Sequence, residues 1–172
     1  DVLYQYKSAL KYYENKEYSN AKAFFERVIN TKIPYQNSQI ELFKSESSFY
    51  NAIIGAKLGQ DNADDVLLTL YQNTVAIDRR QKVSNVLAEY YFERGNYLSA
   101  QDWYSKTSES SMDKETKESF YFKNAYVLMK IGRIDQSIAT FKQSISFSRS
   151  MYYEDANYYT GLLLFNQKKY DE

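Results

Sequence analysis

The chain has 172 residues, with 22 Lys and Arg against 22 Asp and Glu, and neither His nor Cys. A net charge of zero argues against nucleic acid or an anionic membrane as the main partner, because either favours a basic footprint. Without His and Cys there is no Ser-His or Cys-His nucleophile, no thiolate zinc site and no disulfide framework.

Five Gly and one Pro are too few for the frequent turns of an all-β protein, whereas 19 Tyr and 10 Phe exceed what one compact core uses. No apolar run approaches the length of a membrane span. A first helix is predicted from Leu3 to Asn15, where Leu3, Tyr6, Ala9, Leu10 and Tyr13 recur at helical spacing. Asn15-Lys16-Glu17 turns the chain. A second helix, starting near Ser19 or Asn20, carries Ala21, Phe25, Val28 and Ile29 until Ile33-Pro34 stops it.

The next helix is predicted from Ser38 to Leu58, with Leu42, Phe49, Ala52, Ile53 and Ala56 on its apolar side and Gly59 ending it in the left-handed conformation. Asp61-Asn62 offers an N-terminal cap for a helix bearing Val66, Leu67, Leu70, Tyr71 and Val75. Asp64 falls where a small residue is expected, so this pair is predicted to pack differently. Two clearer helix pairs follow, Asp78 to Lys106 turning at Gly95-Asn96 and Lys114 to Phe147 turning at Gly132-Arg133. Between them the Ser-rich stretch Thr107 to Asp113 reads as a surface loop that caps the next helix. A last helix begins near Met151.

One phrase recurs: Tyr12-x5-Tyr18-x2-Ala21-x3-Phe25, Tyr91-x5-Tyr97-x2-Ala100-x3-Tyr104 and Leu128-x5-Ile134-x2-Ser137-x3-Phe141. Its small residues Ala21, Ala100 and Ser137 stand 79 and then 37 residues apart, which is two units and one unit of a helix-turn-helix array with a period of roughly 34. Together with Ala9, Leu87, Ala88, Ala125 and Gly161, these residues resemble the tetratricopeptide repeat. The resemblance covers nearly the whole chain, although the usual Trp and closing Pro are missing apart from Pro34 near the end of the first unit. It implies an all-α fold, a right-handed α-solenoid of antiparallel helix pairs. One repeat domain over 1–172 is expected, with units at about 2–34, 38–76, 78–107, 114–148 and a truncated 151–172. Because the chain starts at Asp1 without Met and stops at Asp171-Glu172 in mid-repeat, it is expected to be a fragment of a longer protein. The final helix, ringed by Tyr159, Leu162, Leu163 and Phe165, is expected to expose an apolar face through which this piece self-associates.

Tyr6-x2-Ala9-Leu10-x2-Tyr13, Asn15-Lys16-Glu17-Tyr18-x2-Ala21 and Ala88-Glu89-Tyr90-Tyr91-Phe92-Glu93-Arg94-Gly95-Asn96-Tyr97 are further similar to the start of long periplasmic tetratricopeptide proteins of Gram-negative envelopes. That likeness implies a periplasmic or envelope-associated address and a role in envelope assembly or secretion, with the cytoplasm as the alternative address.

In the resembled fold the first helices of successive pairs line a groove where partners dock. Its positions fall here on Tyr6, Leu10, Tyr13, Phe49, Ile53, Asn85, Glu89, Phe92, Phe122, Tyr126, Met129, Tyr158 and Leu162, a set dominated by apolar side chains. The resemblance therefore implies a non-catalytic scaffold that holds an apolar or aromatic-rich peptide or helix of another protein and needs no cofactor or metal. The competing expectation is that most of these rings pack between repeats. The subgroup that grips chaperone carboxylates uses Lys and Asn on three first helices; the matching places hold Tyr6, Leu10, Tyr50, Lys82 and Val86, of which only Lys82 fits. Arg79, Arg80 and Lys82 start a helix, where they are solvated or steer an acidic partner. The remaining alternatives are a spacer at the end of a longer solenoid and an enzyme subunit using the carboxylate pairs Glu89 and Glu93 or Asp64 and Asp65.

Overall fold

The computed structural model describes residues 1–33 and 35–170. Pro34, expected to stop the second helix, and the terminal Asp171-Glu172 lie outside the described residues. Helices occur at α1 (Val2–Glu14), α2 (Tyr18–Ile29), α3 (Ser38–Lys57), α4 (Ala63–Asn73), α5 (Ile77–Glu93), α6 (Tyr97–Ser105), α7 (Lys114–Lys130), α8 (Ile134–Ile145) and α9 (Tyr153–Tyr170), and there is no strand among the described residues. The chain divides into two compact units, Asp1–Thr74 and Val75–Glu172.

Four turns share one construction. The backbone N–H groups of Glu17, Gln60, Asn96 and Arg133 donate to the carbonyls of Tyr12, Gly55, Tyr91 and Leu128, each at 2.9 Å. Just before each donor stands a residue of positive φ, Lys16 (61°), Gly59 (67°), Gly95 (70°) or Gly132 (81°). This closure satisfies carbonyls that a helix C-terminus would otherwise orphan. It reverses the chain so that each helix packs against the next. Asp1, Asn37, Asn96 and Asp113 cap α1, α3, α6 and α7 by accepting from backbone N–H groups of the first turn.

Small residues decide where the paired helices cross. Ala9 and Ala21, Ala88 and Ala100, and Ala125 and Ser137 are all 0% exposed. In the α7/α8 pair the Ser137 hydroxyl donates to the Ala125 carbonyl at 2.7 Å, so the two small residues face each other and the polar atom brought into the core is paired. Four residues after each second-helix small residue stands a ring, Phe25, Tyr104 or Phe141, buried between the pair and its neighbour.

The second helix pair departs from this register. Gln60 and Asp61 lengthen its turn, Asn62 takes positive φ (61°) and its side chain makes no capping hydrogen bond, contrary to the expected cap. The helix therefore enters rotated. Ala63 and Leu67 are the buried pair four residues apart, Asp64 is half-buried, and the expected core residues Val66 and Val75 are exposed. Leu42 of α3, also expected inside, is exposed.

Candidate functional site

In the second unit α5, α7 and α9 lie side by side, backed by α6 and α8. Their common face carries a ladder of rings: Phe92 to Tyr126 at 5.8 Å and Tyr126 to Tyr159 at 5.6 Å between centroids, both edge to face. These three rings come one from each helix, 34 and then 33 residues apart; because the equivalent turns at Gly95 and Gly132 stand 37 apart, the ladder crosses the repeat register rather than following it. Tyr97, from the start of α6, closes a triangle with Phe92 (6.2 Å) and Tyr126 (6.0 Å). All three ladder rings are half-buried, so part of each surface stays open. Beside the ladder, Tyr158, Leu162 and Phe165 are 64%, 39% and 55% exposed, and their spacing of four and three residues puts them on one stripe of α9.

Beneath the Phe92 end lies an ion cluster. Lys123 Nζ is 3.5 Å from Glu89 Oε1 and 3.5 Å from Glu93 Oε1, and Ser119 Oγ donates to Glu89 Oε1 at 3.1 Å. Burial alone pulls the Lys123 ammonium down, but Glu89, Tyr152 and Glu93, with the hydrogen bond to Glu89, outweigh it and hold it above the ordinary lysine value. The same ammonium lies 5.5 Å from the Phe92 centroid, and Lys130 Nζ lies 5.4 Å from that of Tyr126. Behind the cluster the Tyr104 hydroxyl is buried without a hydrogen-bond partner, and burial, then the Glu89 and Glu93 charges, push its pKa well above the usual tyrosine value.

The expected groove residues fall into three groups. Phe122 and Phe49 are buried; Phe122 stacks on Tyr152 at 4.8 Å and meets Phe141 at 5.8 Å, which makes it core. Asn85 is buried as well, its Oδ1 unpartnered. Glu89, Phe92, Tyr126 and Met129 are half-buried along the face, and Tyr158 is open. In the first unit Tyr6 stacks on Phe43 at 4.8 Å and Tyr13 meets Tyr50 at 4.9 Å, so both rings join α1 to α3. Lys123, Tyr97 and Tyr159 belong to the face without having been expected there. The signal was present in Ser119, Lys123, Tyr126 and Lys130, spaced four, three and four apart along one side of α7.

The carboxylate pair Glu89 and Glu93 is engaged with Lys123 at the surface of the face, and Asp64 and Asp65 sit in the first turn of α4. A cavity of about 300 Å³ lies elsewhere, in the first unit, where the lengthened turn holds α4 off Asn51, Ala52 and Gly55. Neither carboxylate pair lines it. Among the described residues no group of three or more acidic side chains could hold a metal ion, and no helix is long and apolar enough to cross a membrane. Comparison with family models, with curated proteins and with solved structures finds no match for this chain.

Proposed function

We propose that this chain is a non-catalytic, tetratricopeptide-like scaffold, a right-handed array of helix pairs that binds an apolar or aromatic-rich segment of another protein along the α5–α7–α9 face. The observation that carries this reading is the exposed stripe Tyr158, Leu162 and Phe165 lying beside the half-open ladder Phe92–Tyr126–Tyr159. Rings already fixed by their neighbours lose little freedom when a partner covers them, so their burial converts efficiently into affinity. The likeness to long periplasmic repeat proteins extends the proposal to envelope assembly or secretion.

The test is selection of peptides from a random displayed library on the immobilised protein. Peptides rich in Leu, Phe and Tyr are expected, and the double variant Tyr158→Ser, Phe165→Ser should lose them while keeping its helicity. Retention of the same peptides by that variant would place binding elsewhere. The same stripe favours a second reading, association of two copies, which sedimentation velocity of the wild type and the double variant distinguishes.

A further inference from the structure

The ion cluster under the ladder is unbalanced. One ammonium, Lys123, stands between two carboxylates at 3.5 Å from each, longer than the roughly 2.7–2.9 Å of a well-made charge-assisted hydrogen bond. Its own side chain is only 17% exposed, whereas that of Glu93 is 65% exposed and reaches solvent at the edge of the face. The rings above accept cations on their faces, as Lys123 does at Phe92 and Lys130 at Tyr126.

We propose that the segment bound by this face carries a basic side chain next to its large apolar ones, the guanidinium or ammonium seating against Glu93 at the Phe92 end. The inference rests on the peptide-binding reading above and adds the charge of the occupant. An Arg is the better fit, because its planar fork can take the Glu93 carboxylate bidentately while stacking on a ring. Lys123 then keeps Glu89 alone, so each charge has one opposite partner. An acidic segment would instead bring a third carboxylate beside the two that already share Lys123.

The experiment uses the whole chain and three synthetic fluorescent peptides with the same Leu and Phe residues, alternating with Arg, Gln or Glu. Anisotropy titrations should place the Arg peptide about tenfold tighter than the Gln peptide, an advantage that added salt erodes. Glu93→Lys should abolish that advantage and favour the Glu peptide. Equal binding of the Arg and Gln peptides by both proteins, or preference of the wild type for the Glu peptide, overturns the proposed charge. In those cases the groove reading itself stands if Tyr158→Ser, Phe165→Ser still abolishes binding. Should none of the three peptides bind, or should that double variant bind them unchanged, the groove reading fails and the charge proposal with it.

Discussion

Tyr104 shows how one atom can cost stability in an otherwise closed core. Its ring fills the space between the α5/α6 pair and Phe120, with centroids 5.7 Å apart, but its hydroxyl is buried with no hydrogen-bond partner. An unsatisfied buried hydroxyl costs roughly 1–3 kcal/mol. Tyr104→Phe keeps the ring and removes the atom, so at neutral pH the variant should be as stable as the wild type or more so by about 1 kcal/mol, read as the urea midpoint. The pH dependence is more diagnostic. The folded pKa of Tyr104 is raised well above 10.0, its ordinary value, because burial disfavours the phenolate. A raised folded pKa means full stability below about pH 10 and loss as pH climbs toward the folded value. Tyr121, pushed up to about 12 by burial and by its hydrogen bond to Glu109, contributes in the same direction in both proteins. The gap between variant and wild type should therefore widen above pH 10, and parallel curves from pH 9 to 11 would count against it.

At the scale of helices, the shared turn explains both what the sequence announced and what it hid. Gly95 and Gly132 supply the left-handed residue cheaply, whereas the first turn uses Lys16 at φ 61°. Lys16→Gly should stabilise the chain by roughly 0.5–1 kcal/mol, measured as a higher urea midpoint. Ala100→Leu tests the crossing point itself: a 0% exposed site in the α5/α6 pair has no room for three more carbons, and overpacking costs roughly 1–3 kcal/mol. An unchanged midpoint would mean that those helices do not meet there. The helix pairs were legible because Ala21, Ala100 and Ser137 sit at one register with the turn, and burial follows from that register. The second pair was not, because a turn lengthened by Gln60 and Asp61 shifts the helix that follows by a fraction of its circumference, and a periodic pattern alone does not carry that phase. Val66 then looks apolar and inward yet is exposed, while Ala63, one residue before the expected place, is buried. The face was legible only in part for a related reason. Spacing puts Phe122 and Tyr126 on one side of α7, but only the position of Tyr152 and Phe141 decides that Phe122 is core while Tyr126 stays half-open.

For the molecule as a whole, the question is how much of the chain the proposed face needs. Every side chain of the ladder, the ion cluster and the exposed stripe comes from Val75–Glu172. That unit also has its own core, in which Phe122, Ala125, Ile138, Phe141, Ala156 and Leu163 form one cluster. Next to it Leu87, Ala88, Ala100 and Tyr104 are buried in the α5/α6 pair. Domains of about 100 residues bury enough surface to fold alone, and stacked helix pairs draw their stability from nearest neighbours. The fragment 75–172 is therefore expected to be helical by circular dichroism, to melt cooperatively, and to bind the selected peptides within about threefold of the whole chain, a difference below 1 kcal/mol. A folded fragment that has lost the peptides would mean that residues 1–74 form part of the site, and an unfolded one would mean that the cluster around Phe141 does not suffice as a core.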